Sequence, residues 1–72
     1  MAAIQIRPYI YSITYNGSTA TIYWYALKDI PYIVEYSKDM LLWEQVPVGK
    51  VDHWADTNAD HYEMMFYRVR EE

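Results

Sequence analysis

The sequence predicts an all-β fold, a small antiparallel sandwich or barrel of about six strands. Segments rich in valine, isoleucine, tyrosine and tryptophan recur along the chain, and turn residues separate them at the spacing typical of such folds. No stretch carries the apolar period of an amphipathic helix. The 72 residues have room for one domain, residues 1–72, and because cysteine is absent its stability must come from packing or from a partner.

The first two predicted strands form a hairpin. The dipeptide Asn16-Gly17 lies between two β-rich segments, Tyr9–Tyr15 and Thr19–Tyr25. Asn-Gly is the preferred pair for a type I′ turn, in which both central residues have positive φ. Asn16-Gly17-Ser18 also matches a glycosylation sequon, but the turn is the favoured interpretation. Ala20, Ile22 and Trp24 share one face of the second strand, which we predict to face the core.

The central strand is predicted over residues 32–37. Alternation places Tyr32, Val34 and Tyr36 on one face, as a half-buried strand requires. Ser37-Lys38-Asp39 then predicts a polar turn, because serine and aspartate side chains hydrogen-bond nearby backbone groups. After this turn, Met40–Trp43 is predicted to resume apolar cover as the next strand.

The remaining third of the chain predicts three more extended segments. Pro47 weakens the strand that follows Trp43, which favours a sheet edge or a corner there. A short extended piece, Val51–Ala55, precedes a polar loop at Asp56–Asp60, and the last strand is predicted over Tyr62–Arg70. The predicted core comprises the inward-phase residues Ile22, Trp24, Tyr32, Val34, Tyr36, Trp43, Trp54, Tyr67 and Val69.

Three segments carry a family resemblance. Pro31–Trp43, Trp54–Ala59 and Met65–Val69, in that order, resemble the Tyr-x-Val-x-Tyr-Ser-x-Asp, aromatic-x-Asp and Phe-Tyr-Arg-Val segments of fibronectin type III-like modules common in bacterial surface proteins. The resemblance implies an immunoglobulin-like β-sandwich. Ile30 departs from the glycine usual in that family, and the usual final strand after Val69 is missing. This departure allows two interpretations: residues 70–72 end the domain, or they leave an open edge that another chain completes.

Charge and hydropathy argue against binding to nucleic acid and against insertion into a membrane. The net charge is −4 and the six lysines and arginines are scattered, whereas a nucleic-acid-binding face needs clustered positive charge. The N-terminal residues lack a basic leader, and no apolar run approaches the length of a membrane span. We therefore expect synthesis in a cytoplasm, without a signal peptide or transmembrane segment.

One polar cluster contains residue types that bind metal ions. It comprises Asp52, His53, Asp56, Asp60 and His61. Its Asp-x-Asn-x-Asp spacing begins like a calcium loop, but His61 stands where glycine is needed and Tyr67 where the bidentate glutamate belongs. A solvated turn is the favoured interpretation, so no metal or cofactor is expected. The chain also lacks a nucleophile elbow and a phosphate loop, which argues against an enzyme.

The tyrosines predict a contact surface. Nine tyrosines are more than a small core can cover, and some therefore face outward. The candidate interaction residues are Tyr9, Tyr11, Tyr23 and Tyr25.

The function we expect is that of a non-enzymatic structural or interaction protein. A fibronectin-like module without an export signal fits a bacteriophage virion accessory component, such as a capsid decoration protein made in the host cytoplasm. Its partners would be capsid or other protein subunits of a large assembly, or further copies of itself as a homo-oligomer. The sequence also allows two alternatives: a carbohydrate- or cell-surface-binding module, and a spacer domain of a longer secreted protein.

Overall fold

The computed structural model describes residues 8–57 and 65–72, and all six of the strands found there lie in two antiparallel sheets of three. The strands are β1 (Ile10–Asn16), β2 (Thr19–Trp24), β3 (Tyr32–Ser37), β4 (Glu44–Gly49), β5 (His53–Asp56) and β6 (Phe66–Glu71). Sheet A has the order β1-β2-β5 and sheet B the order β4-β3-β6. The predicted all-β fold is confirmed. No helix in the described residues is long and apolar enough to cross a membrane.

The predicted hairpin joins β1 to β2, but its turn differs from the predicted type. Asn16 pairs with Thr19, so the two loop residues are Gly17 and Ser18. Gly17 has a φ of 63°, while neither Asn16 nor Ser18 has a positive φ. Glycine alone at the first central position is the pattern of a type II′ turn, so the type I′ assignment is wrong.

A β-bulge changes the phase of β1. Ile10 pairs with Trp24 and Ser12 with Tyr23, which leaves Tyr11 as an extra residue between them. Residues directly opposite in an antiparallel pair share a face. Ile10 therefore faces inward with Trp24, and from Ile13 onward the alternation is shifted by one residue.

The next strand begins later than predicted. Residues 38–42 form a bend, and β4 starts at Glu44. Ser37 Oγ accepts hydrogen bonds from the backbone N–H of Asp39 (3.2 Å) and Met40 (2.8 Å). Asp39 Oδ1 accepts from the backbone N–H of Leu41 (2.8 Å) and of Leu42 (3.1 Å). These bonds prolong the turn, so the prediction that this segment resumes apolar cover is wrong.

The core lies between the two sheets. Its largest fully buried side chains come from β2, β3 and β6, and each is at most 2% exposed: Ile22, Trp24, Tyr32, Val34 and Val69. Trp24 meets Tyr32 edge to face across the sheets, with ring centroids 6.0 Å apart. The two sheets are thus closed by one aromatic and aliphatic layer, as in a small sandwich.

The other predicted core residues are half-buried. Tyr36 and Trp54 stack across the two sheets with ring centroids 6.0 Å apart, and Tyr67 packs against the core cluster. Trp43 is placed differently. It lies on the outer side of sheet B, where its ring centroid is 3.7 Å from the guanidinium carbon of Arg68. Because the turn is prolonged, the tryptophan precedes β4 and does not enter the core.

A hydrogen bond links the sheets beside the core. Asp56 is the last residue of β5 and is 6% exposed, and it pairs with the inward-facing Ala20. The Tyr67 hydroxyl donates to Asp56 Oδ2 at 2.7 Å. The prediction of Asp56 in a solvated loop is therefore wrong, and this carboxylate ties β5 to β6.

Candidate protein interface

Three tyrosines and one histidine form a continuous aromatic patch on the outer face of sheet A. The ring centroids of Tyr11 and Tyr25 are 4.6 Å apart, and those of Tyr11 and Tyr23 are 6.4 Å apart. His53 on β5 stacks on Tyr23 at 6.0 Å. We call these four residues the tyrosine surface. Three of the predicted interaction residues thus lie together, with Tyr11 beside both Tyr23 and Tyr25.

The patch is open to solvent at its β1 side. Tyr25 is 67% exposed and Tyr11 is 50% exposed, whereas Tyr23 is half-buried between its neighbours. Tyr9, the fourth predicted residue, is 70% exposed. Its backbone carbonyl accepts a hydrogen bond from Tyr25 N–H at 3.3 Å, so it flanks the tyrosine surface.

The local sequence explains why these rings meet. Tyr23 and Tyr25 are two residues apart, so they project from the same side of the extended chain. The bulge in β1 directs Tyr11 to that side beside them, and His53 pairs with Tyr23 from β5. Rings contributed by three different chain segments therefore share one surface.

The physical character of this surface suits binding. Tyrosine offers a large apolar ring with only two rotatable side-chain bonds, and its hydroxyl can remain hydrated or find a polar partner. Rings already in contact lose less conformational entropy when a partner covers them. The polar margin is supplied by Asp52, whose carboxylate lies 2.9 Å from His53 Nδ1.

The outer face of sheet B is closed by its own side chains. Glu35, in the middle of β3, is only 4% exposed although it points away from the core. Arg68 Nε donates to its Oε1 at 2.9 Å, and Gln45 Nε2 donates to its Oε2 at 3.1 Å. Arg70 Nε lies 3.6 Å from the same Oε2. Both arginines point away from the core and cover this face of the sheet.

The arginines also set the protonation of the glutamate. Burial raises the pKa of Glu35, but the hydrogen bond from Arg68, the charges of Arg68 and Arg70, and the hydrogen bond from Gln45 outweigh it. The pKa of Glu35 is therefore held below its ordinary value. The carboxylate is ionised at neutral pH and acts as the centre of a structural ion cluster.

A second apolar feature projects from the turn before β4. Met40, Leu41 and Leu42 are 58%, 81% and 80% exposed, and Met40 has a φ of 63°. Hydrogen bonds from Leu41 N–H, Leu42 N–H and the Ser37 hydroxyl lower the pKa of Asp39. The two leucines are thus held in solvent by a defined turn, which the alternation of apolar residues did not predict.

The polar cluster with calcium-like spacing is divided by sheet A. Asp52 and His53 are exposed on one side, whereas Asp56 faces inward to Tyr67. Asp60 and His61 lie outside the described residues. Within residues 8–57 and 65–72, no group of three His, Cys, Asp or Glu side chains is placed to hold a metal ion.

No protein-family model matches the chain, and neither a curated protein nor a solved structure matches it significantly.

Sequence reasoning missed several surface residues. His53 joins the tyrosine surface through the β2–β5 pairing, a contact between distant segments that no local pattern shows. Ile13 and Tyr15 are the second omission. They pair with the buried Ile22 and Ala20, yet they are 42% and 71% exposed. Their inward phase depends on the bulge at Tyr11, and the sequence does not show where that bulge lies.

Proposed function

We propose that this protein is a non-enzymatic interaction protein that binds another protein through the tyrosine surface. The observation that carries the proposal is the exposed pair of rings, Tyr11 and Tyr25, whose centroids are 4.6 Å apart and which are open to solvent on the outer side of sheet A. Contiguous exposed aromatic area on a small domain marks a binding site. Tyrosine is also enriched among the residues that dominate binding energy.

The contrast with sheet B supports this choice of surface. There, Arg68 and Arg70 cover the central strand, so that face needs no partner. On sheet A, the rings of Tyr11 and Tyr25 are instead 50% and 67% exposed. Aromatic rings left open in this way gain the most from a protein surface laid over them.

The concrete form that we propose is an accessory component of a bacteriophage virion, such as a capsid decoration protein. The resemblance of the sequence to fibronectin type III-like modules supports it, as does the arrangement of the strands in two antiparallel sheets. A 72-residue domain has a small core, so binding to a neighbouring subunit would add stability. The net charge of −4 favours protein subunits over nucleic acid as the partner.

Site-specific photocrosslinking tests the proposal. A photoreactive benzoylphenylalanine replaces the tyrosine at position 25, and irradiation is carried out in a lysate in which the native assembly is intact. We expect a discrete crosslink whose second chain, identified by mass spectrometry, is a particle subunit, with the crosslinked species sedimenting with particles.

The matched control carries the same amino acid at position 42, which is 80% exposed but lies on the turn before β4. It should give no such product. A crosslink equally strong from both positions, or none from position 25 in particles that contain the protein, would refute the tyrosine surface as the interface.

Carbohydrate binding is a second candidate, favoured by one observation. Tyr11 and Tyr25 form a tilted aromatic platform, with an angle of 32° between their planes, and Asp52 and His53 supply hydrogen-bonding groups nearby. Apolar faces of sugar rings can lie on such a platform. Glycan-array binding by the purified protein, lost in Tyr11→Ser and Tyr25→Ser, would favour this function, and a wholly negative array would favour the protein partner.

A further inference from the structure

The edge strand β1 differs from the other strand edges that the structure describes. Pro47 interrupts the β4 edge, β5 is only four residues long, and β6 carries Arg68 and Arg70. Proline, short length and charge are the features that keep sheet edges from pairing with other chains. In contrast, β1 is seven residues long and contains neither proline nor charge.

The inward-facing side chains at the end of β1 are also exposed to solvent. Ile13 and Tyr15 lie opposite Ile22 and Ala20, which are both 0% exposed, yet they are themselves 42% and 71% exposed. Sheet B therefore does not reach across β1. An added strand beside β1 would place new side chains next to these two residues and remove them from water.

We propose that β1 is a self-association edge: two copies of the chain pair their β1 strands antiparallel about a two-fold axis. The two three-stranded A sheets then become one sheet of six strands, in the order β5-β2-β1-β1-β2-β5. This proposal does not depend on the tyrosine surface, because it uses the edge and the inner side of sheet A.

The sequence of the edge specifies the register. A two-fold axis at Thr14 places Ile13 opposite Tyr15 of the second copy, and Tyr15 opposite Ile13. Both residues face inward, so the pairing matches faces, and aromatic rings opposite β-branched side chains are favourable cross-strand pairs. A two-fold axis at Ile13 would place Tyr15 opposite Tyr11 of the second copy. Because of the bulge, Tyr11 faces outward whereas Tyr15 faces inward, so this register is excluded.

The self-complementary register of β1 and the absence of charge along it favour a second copy as the occupant. Each chain carries a net charge of −4, so two copies repel unless their contact is free of like charges. Residues 10–16 contain no charged side chain. Because each copy offers one unprotected edge among the described strands, pairing closes at two copies and does not continue into a fibre.

Paired charge variants test the proposal. We expect light scattering and sedimentation equilibrium to give a dimer for the full chain. The double variant Ile13→Lys/Tyr15→Lys places lysine opposite lysine and should weaken dimerisation about tenfold or more, as should Ile13→Glu/Tyr15→Glu. Mixing the two variants should restore a heterodimer. Leu41→Lys/Leu42→Lys, which adds the same charge on the exposed turn, should leave the dimer unchanged.

A single cysteine gives a second test that leaves the charge intact. The chain has no cysteine, and antiparallel pairing centred on Thr14 brings the two Thr14 Cα atoms within disulfide range, about 4.5–5.5 Å. Oxidised Thr14→Cys should form an interchain disulfide, and Leu42→Cys should not. The proposal is overturned if the native chain is monomeric at its highest soluble concentration, if the charge variants dimerise like the native chain, or if Thr14→Cys stays reduced.

Discussion

The two outer faces of this sandwich differ in how far the chain's own side chains cover them. On sheet B, Glu35 is enclosed by Arg68, Arg70 and Gln45, and the face is sealed by the chain's own long side chains. On sheet A, Tyr11 and Tyr25 present their rings to solvent. The difference shows that aromatic exposure is not a general property of this small domain, and it separates a structural face from a face that is available for binding.

Removing Arg68 should have the largest effect on stability. Arg68→Ala deletes the 2.9 Å hydrogen bond to Glu35 and leaves the buried carboxylate with Arg70 and Gln45. We expect the free energy of unfolding in urea to fall by about 2 kcal/mol, less than for a fully buried pair, because the Arg68 side chain is 41% exposed. An unchanged unfolding midpoint would mean that the face is not sealed by this cluster.

Acid should act on the same cluster. The folded-state pKa of Glu35 is lowered, so its ionised form stabilises the fold above the unfolded-chain pKa, and this contribution is lost as the pH falls through the folded-state pKa. Urea midpoints measured from neutral pH down through the acidic range should fall more steeply for the native chain than for Glu35→Gln. Asp39 also has a lowered pKa, but it is present in both proteins, so the difference reports Glu35. Equal slopes would contradict the cluster.

Trp43 should contribute less than Arg68 to the free energy of unfolding. Its ring lies 3.7 Å from the Arg68 guanidinium carbon, a cation–π geometry. Trp43→Ala should therefore lower the free energy of unfolding by about 1 kcal/mol, and its effect should largely vanish in an Arg68→Ala background. Additive losses in this double-mutant cycle would place Trp43 outside the cluster.

The open face should tolerate change best. Tyr25→Ser removes a ring that is 67% exposed, so the unfolding free energy should fall by only about 0.5–1 kcal/mol, the value of its contact with Tyr11. Crosslinking of the native partner, measured from a photoreactive group at position 11, should be lost in the same variant. A loss of stability as large as that of Arg68→Ala would make Tyr25 a structural residue.

Local sequence chemistry predicted the strands well where one rule dominates. The hairpin at Asn16-Gly17 follows from the need of a tight turn for glycine, and the buried face of β2 follows from simple alternation at Ala20, Ile22 and Trp24. The turn type was missed because Gly17 can occupy either central position, and the strands themselves fix which one it takes.

The incorrect predictions fall in two places: where side chains hydrogen-bond to backbone N–H groups, and where a β-bulge inserts an extra residue into a strand. Ser37 and Asp39 bind successive N–H groups and hold Leu42 in solvent, although apolar residues there predict a strand. The bulge after Ile10 shifts Ile13 from the face that alternation from Tyr11 would give it. Of the candidate site, the tyrosines were predictable as outward residues, but the contact with His53 requires the order of strands in sheet A.

Hydroxyl-radical footprinting tests the central claim, that the outer face of sheet A is the binding face, most directly. The protein is labelled when purified and in the native high-molecular-weight fraction of its source, and oxidation is mapped by mass spectrometry. We predict that Tyr11 and Tyr25 react rapidly in the purified protein and are protected in the assembly, while Trp43 reacts alike in both. Tyrosines that remain equally reactive in the assembly would contradict the claim.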